Sequence, residues 1–248
     1  MAIYDKPVHH LMRDMVKDLA LLKGDHISKD EVLSWFQANY PRIKQGTITA
    51  HLIRMSTNAT SRHHYNPKPG EDDLFYQLNG STFRLYDNET DPSPLQKGNL
   101  EADKSDLDVS VDEDDTTDYQ EFAYEHDLQN FLSHNLCLIE EGLRLFEDDG
   151  ITGIEFPAGG RYIDILALDR NNNYVVIELK VSRGYDRVVG QLLRYISWIK
   201  KFQADNSQSV RGIIVAREIA DDLALACEGL DIVQLYEYQL SITLRKVE

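Results

Sequence analysis

The chain has 248 residues, 42% hydrophobic and 27% charged, with a formal net charge of −16 at neutral pH. That length suits one large domain or two ordinary ones, and the composition is that of a soluble globular protein. No run approaches the ~18 apolar residues of a membrane span, the first residues lack a cleavable apolar core, and the acidic excess argues against strong non-specific adhesion to nucleic acid while allowing a local cationic surface. Cys137 and Cys227 stand far apart with no metal-type spacing, which predicts two reduced thiols in a cytoplasmic protein that has no membrane partner.

Residues 7–22 carry Val8, Leu11, Met12, Met15, Leu19 and Leu22 at helical spacing, ended by Gly24. Ser28 followed by Glu31 has capping-box spacing and opens a second amphipathic helix, with Val32, Leu33, Trp35 and Phe36, that stops before Pro41. After a basic turn, a third helix runs from Thr47 to about Ser56. Ile48, Leu52 and Met55 face its core and Thr47, Thr49, His51 and Arg54 are expected outside. A polar loop with Arg62, His63 and His64 follows; no third ligand accompanies the two histidines, so the pair reads as loop. Residues 74–86 then alternate around Asn79-Gly80, a signal for a two-residue type I′ hairpin.

Three helices and a hairpin in residues 1–86 resemble a winged helix-turn-helix domain, in which the third helix reads DNA and the hairpin is the wing. The resemblance implies Arg42, Lys44, Thr47, Thr49, His51, Arg54, Arg62 and Arg84 as DNA contacts. The bland alternative is a helical module that packs on the second domain or a partner, with those charges solvated.

Residues 87–118 hold 12 acidic and 2 basic residues, Pro92 and Pro94, and few large apolar side chains, so they are expected to form a mobile acidic linker. The acidic run lacks the glycine and spaced glutamate of an EF-hand loop. A linker this negative would compete with DNA for cationic surfaces at low salt. Deleting residues 99–117 should therefore raise cleavage of non-cognate DNA at low ionic strength, and an unchanged rate would remove the idea.

The third segment, 119–248, opens with a helix over Tyr119 to Asn135 that carries Glu125 near its start and Leu128, Phe131 and Leu132 inward. Short strands are expected around Leu143–Phe146 and Ile154–Phe156. Two longer strands then form a hairpin across a polar turn at residues 169–173, one with Asp164 and one with Glu178 and Lys180 inside apolar runs. Opposed residues on antiparallel strands share a face, so a turn centred on Asn171 sets Asp164 across from Glu178, and one on Asn172 sets it across from Lys180. Both centres put the three charges on one face, whereas a centre between them would separate Asp164. Burying such charges is costly unless they pair, bind an ion or do chemistry. Two converging carboxylates suit Mg²⁺ or Mn²⁺, with a lysine to orient or help deprotonate a metal-bound water and to stabilise charge on a phosphate. A structural ion-pair network is the alternative.

In the following helix Val189, Leu192, Leu193, Ile196 and Ile199 form the buried stripe, and Arg187, Gln191, Arg194 and Trp198 share an adjacent flank that could face phosphates. Strands at 210–216 and 232–236 enclose a helix at about 219–227, so the fold class is α/β (α+β), with a mixed sheet flanked by helices.

Asp164 followed by Glu178-Leu179-Lys180 resembles the PD-(D/E)XK nuclease signature. With Glu125, Gly160-Arg161 and Gly190-Gln191-Leu192-Leu193-Arg194-Tyr195, residues 119–248 resemble the catalytic domain of the mismatch-specific NucS or EndoMS endonucleases. That resemblance implies a restriction-endonuclease-like domain that hydrolyses DNA phosphodiesters with Mg²⁺, or Mn²⁺, in restriction, defence or repair. Asp164, Glu178 and the Leu179 carbonyl would bind the metal, Lys180 would position the water, and Glu125 and Gln191 would support the site; Arg161, Arg187 and Arg194 would contact DNA. Cutting both strands calls for two active sites, which a homodimer supplies. Two departures stand out. Ile163 replaces the proline of the signature's name, and the N-terminal half is not the β-rich domain of the mismatch endonucleases, so mismatch specificity does not carry over. The competing function is a non-catalytic DNA-binding regulator that keeps a nuclease-like domain for dimerisation.

Overall fold

A computed structural model describes residues 4–95, 115–184 and 187–239, without the side chains of residues 115–124 and 181–184. Most of the expected acidic linker, residues 96–114, lies outside the described residues.

The N-terminal module contains α1 (Val8–Asp18), β1 (His26–Ser28), α2 (Lys29–Asn39), α3 (Gln45–Arg54), a 3₁₀ turn at Thr60–Tyr65, and the hairpin strands β2 (Phe75–Asn79) and β3 (Thr82–Leu85). The strands form one antiparallel sheet in the order β1-β3-β2. The capping box is present: Glu31 N–H donates to Ser28 Oγ at 3.2 Å, and Ser28 N–H donates to Glu31 Oε2 at 2.8 Å. Met12, Met15, Val32, Phe36, Leu52, Met55, Phe75 and Phe83 fill the module's core. α1 stops four residues short of Leu22, because the chain turns at Ala20 with φ of +50°.

The β2–β3 hairpin departs from its sequence signal. Its register shifts between Gln77 and Asn79, so the turn falls on Gly80-Ser81; neither has the positive φ of a type I′ turn, and Asn79 Oδ1 accepts from Ser81 N–H at 2.9 Å. Positive φ at both residues of a two-residue turn is found instead at Gly159-Gly160 and at Asp149-Gly150, the latter between the short strands β5 (Glu147–Asp148) and β6 (Ile151–Thr152). Asp-Gly carries the same turn chemistry.

The C-terminal domain adds α4 (Asp115–His134), β4 (Arg144–Leu145), β7 (Ile154–Ala158), β8 (Arg161–Leu168), β9 (Tyr174–Gly184), α5 (Arg187–Phe202), β10 (Val210–Ile219), α6 (Asp221–Cys227) and β11 (Val233–Glu237). Its mixed sheet runs β11-β10-β9-β8-β4, with β7 also paired to β8; β9, β10 and β11 are parallel, and β8 is antiparallel to β9. Leu128 and Leu132 of α4 cover Ile165, Val175 and Ile177 on one face. Leu192 and Ile196 of α5 cover Leu166, Val176 and Ile214 on the other. Phe131, expected inward, is 50% exposed, and the polar Gln129 takes a buried position instead. Cys137 and Cys227 are both free thiols. Among the described residues, no helix is long and apolar enough to cross a membrane.

The largest correction concerns α3. Its expected outer face is buried against the C-terminal domain: Thr47, Thr49, His51 and Arg54 are exposed by only 1%, 4%, 0% and 7%. Ala50, Ile53 and Tyr65 join the core beneath α5. A Cβ at Gly46 would overlap Gln203 and Phe156, so glycine is what permits this approach. Polar contacts complete the junction. Thr47 Oγ1 donates to Asp148 Oδ2 at 2.8 Å, Val8 N–H donates to Asp149 Oδ2 at 2.6 Å, and Lys44 pairs with Asp205. A helix with apolar residues on one face and Thr, His and Ala on the other can bury both. Periodicity identified only the first.

The start of the expected linker is also tied down. Asp91 accepts from Arg84 at 2.6 Å, Asp87 from Lys23 at 2.7 Å, and Leu95 N–H donates to the Thr57 carbonyl at 2.8 Å. Residues 115–118, expected as linker, belong to α4.

Candidate active site

The two acid-bearing strands meet with the register Ile165 opposite Ile177 and Leu166 opposite Val176. This is the pairing centred on Asn171, and its continuation sets Asp164 across from Glu178. Asp164, Glu178 and Lys180 therefore share a face because a six-residue interval between Leu168 and Tyr174 fixes the parity.

Glu178 is 1% exposed. Its Oε1 accepts from Lys180 Nζ at 3.1 Å and from Gln191 Nε2 at 2.6 Å, while its Oε2 is buried with no hydrogen-bond partner. Lys180 Nζ also reaches the Leu179 carbonyl at 2.6 Å and Glu125 Oε1 at 3.4 Å. Asp164 Oδ2 accepts from Leu179 N–H at 2.7 Å. Four chain segments thus converge: α4 supplies Glu125, β8 supplies Asp164, β9 supplies Glu178, Leu179 and Lys180, and α5 supplies Gln191.

Burial raises Glu178 to about 7, against the opposing pull of Lys180. Burial, then the Glu178 charge, pushes Asp164 well above the usual carboxylate range. Desolvation would lower Lys180, but Glu178, Asp164 and Glu125 together raise it. A lysine held this firmly protonated is an electrostatic clamp and hydrogen-bond donor, and a poor base. The Lys180 ammonium is shared between Glu178 and Glu125, and Glu178 Oε2 is a buried oxygen without a hydrogen-bond partner. That donor set fits a hard divalent cation. The Leu179 carbonyl, expected as a further ligand, is held by the Lys180 ammonium in this arrangement.

Three supporting residues have no role in the sequence reading. Gln129 Nε2 donates to both Glu155 Oε1 and the Asp164 carbonyl, each at 2.9 Å. Glu155 is raised by burial, with Gln129 opposing. Its signal was available, since Ile154-Glu155-Phe156 is an acid inside an apolar run, the same anomaly that marked Asp164 and Glu178. Tyr195, one helical turn from Gln191, accepts from Gln191 Nε2 at 3.3 Å and donates to the Tyr162 carbonyl at 2.7 Å.

Arg161, Arg187 and Arg194 are exposed, and the i, i+4, i+7 spacing of Arg187, Gln191 and Arg194 puts both arginines on the stripe that enters the site. The N-terminal cations are placed differently. Arg54 is paired with Asp72 at 3.0 Å, and the buried Arg62 with Asp73 at 2.7 Å. Arg84 pairs with Asp91 and lies over the Tyr76 ring; Lys44 is engaged at the junction. Arg42 is exposed and lies 4.9 Å from the Tyr4 ring centroid. Thr47, Thr49, His51, Arg54 and Arg62 thus present no surface to DNA in this packing: the domain junction occupies the α3 face, and Asp73 holds Arg62 inside the module. A separate group, His9, His10 and Glu71, brings ligand atoms within 4.8 Å of one another, and Glu71 is already bonded to His9 at 3.1 Å and to Lys68 at 3.3 Å.

Residues 124–239 match the family model described as the Endonuclease NucS C-terminal domain, and residues 7–85 match a domain of unknown function, DUF7669. Endonuclease NucS from Pyrococcus abyssi is 32% identical over 119 residues, covering 46% of this chain and 44% of the relative. Endonuclease NucS 2 from Halobacterium salinarum is 30% identical over 131 residues, covering 52% and 48%. A solved structure described as a repair endonuclease from Pyrococcus abyssi aligns with a TM-score of 0.39 and 25% identity, over 46% of each chain. The chain spans about half the length of the curated relatives it matches.

Proposed function

We propose, from the premise that residues 124–239 are a NucS-like nuclease domain, that this chain is a metal-dependent DNA endonuclease that hydrolyses phosphodiester bonds, in DNA repair or defence. The observation that carries the reading is the buried Glu178, whose Oε2 lacks a partner while Oε1 is fixed by Lys180 and Gln191. Around it Asp164, Glu178 and Glu125 converge on the single Lys180 ammonium, more negative charge than a closed structural ion-pair network would gather.

Asp164 and Glu178 would hold Mg²⁺ or Mn²⁺, which when bound polarises the scissile phosphate and lowers the pKa of a water. The chain's own residues do the rest. Gln191 fixes the Glu178 carboxylate, and the Leu179 amide fixes that of Asp164. Lys180, held protonated by three acids, is aimed into the site to offset the negative charge that grows on the phosphate. Arg161, Arg187 and Arg194 supply the cationic approach for the DNA backbone. The N-terminal module, with the α3 face engaged at the junction, acts chiefly as a partner of the nuclease domain.

Mapping cleavage positions on single-stranded, duplex, branched and modified DNA with Mg²⁺, beside an Asp164→Ala control, tests this. Cleavage that disappears in the control is expected. A wild-type protein that binds DNA without metal and leaves the whole panel intact would establish the regulator instead.

A further inference from the structure

We propose that the N-terminal module positions the active-site aspartate through a hydrogen-bonded relay from Tyr65 through Glu155 and Gln129 to Asp164, so that the nuclease site is set by the docked module and not by the C-terminal domain alone. The inference rests on the nuclease reading for its functional consequence; the relay itself is geometric.

Tyr65, at the end of the 3₁₀ turn of the N-terminal module, is 1% exposed, and its hydroxyl donates to the Glu155 carbonyl across the junction at 2.8 Å. Glu155 is a non-glycine residue with φ of +50°, a conformation that persists only where the surroundings impose it. The consequence falls on the adjoining strand. β7 pairs with β8 at Ile154 opposite Ile165 and at Phe156 opposite Ile163, so Glu155 lies at the level of Asp164, where regular pairing is interrupted. The Asp164 carbonyl is instead taken by Gln129 Nε2 at 2.9 Å, and the same nitrogen donates to Glu155 Oε1 at 2.9 Å. Gln129 is 4% exposed and therefore held in place by packing.

The backbone turn at Glu155 thus sets its carboxylate, the carboxylate orients Gln129, and Gln129 orients the backbone of Asp164. On the far side of that residue, the Leu179 amide holds Oδ2 at 2.7 Å. Tyr65, Glu155 and Gln129 are positioning residues: their hydrogen bonds run to one another and to the Asp164 backbone, one step removed from Glu178 and Lys180. The Tyr65 hydroxyl is the part of the relay that the N-terminal module contributes.

The test uses the full chain with Tyr65→Phe, which removes only the hydroxyl, and the pair Glu155→Ala and Glu155→Gln. Backbone amide exchange across residues 161–168 is read on DNA-free, metal-free protein, and single-turnover cleavage is read beside DNA affinity. Tyr65→Phe and Glu155→Ala should accelerate exchange around Asp164 and slow the cleavage step about tenfold, the usual scale for loss of a supporting hydrogen bond, with DNA affinity within about twofold of wild type. Glu155→Gln retains an acceptor for Gln129 and should recover most of what Glu155→Ala loses. Unchanged exchange in both Tyr65→Phe and Glu155→Ala overturns the relay. So does a Glu155→Gln protein as impaired as Glu155→Ala, because charge and not hydrogen bonding would then be the requirement. A wild type that cuts no DNA removes the nuclease reading, and the exchange comparison still decides whether Tyr65 orders Asp164.

Discussion

Glu178→Gln should lower DNA cleavage by about a thousandfold or more, corresponding to about 4 kcal/mol of lost transition-state stabilisation, and should at the same time make the metal-free protein more resistant to heat at neutral pH. Both effects come from one cause. The carboxylate is buried, with one oxygen unpartnered, and burial holds it at about 7 against an ordinary value of 4.5. In the unfolded chain it ionises near 4.5; in the folded chain the proton stays on until about 7. Over that window the unfolded state gives up its proton first, so the wild-type fold loses stability as pH rises, by a few kcal/mol at most. A neutral isostere escapes that cost. Thermal melts in chelator should show the variant and wild type alike near pH 4, with the variant ahead above pH 7. Cleavage within tenfold of wild type would rule out Glu178 as a metal ligand. A variant that melts below wild type at pH 8 would mean that its hydrogen bonds to Lys180 and Gln191 outweigh the desolvation cost.

The junction should be acid-labile, and His51 is the reason. This ring is 0% exposed on the inner face of α3, and burial first, then Arg54 and His9, depress it to about 3. Its nitrogens have no hydrogen-bond partner, and Asp149 Oδ2 stands 3.5 Å from Nε2. A histidine depressed in the fold contributes full stability above its unfolded value of about 6.5 and loses it progressively as pH falls towards 3. Over the whole window that loss is roughly 5 kcal/mol as an upper bound, reduced by whatever attraction Asp149 offers the imidazolium. Wild-type melting temperature should therefore fall between pH 6.5 and 5 relative to a His51→Leu protein, which has nothing to titrate at this position. The comparison must be variant against wild type, because Glu178 contributes a slope of opposite sign. Parallel pH profiles for the two proteins would show that His51 is not the acid-sensitive group.

The active-site cluster was legible because buried charge is rare enough to be a signal. Asp164, Glu178 and Lys180 each interrupt an apolar strand, and hairpin parity requires only the turn length to decide whether they meet. Glu155 carries the same signal on a shorter strand, and its positive φ has no mark in the sequence. Gln129 was hidden more deeply. Helical periodicity favours Phe131 inward, and only the need of the Asp164 carbonyl for a donor explains why an amide is buried in its neighbourhood. The turn at Asp149-Gly150 was readable from turn chemistry, whereas Asn79-Gly80 shows that the same chemistry yields when a strand shifts register by one residue.

Local rules therefore determined much of this protein from sequence alone: the capping box at Ser28, the alternation of β8 and β9 that permits one face for the charged residues, and the amphipathic stripe of α5. Each depends on neighbours a few residues away or on a single hairpin. The tertiary structure alone decided which second face of α3 is covered, because Thr47, Thr49, His51 and Arg54 are as compatible with a solvated helix as with one whose polar groups find partners across a junction. Burial of a polar face depends on those partners, and Asp148, Asp149 and Gly150 are about a hundred residues away.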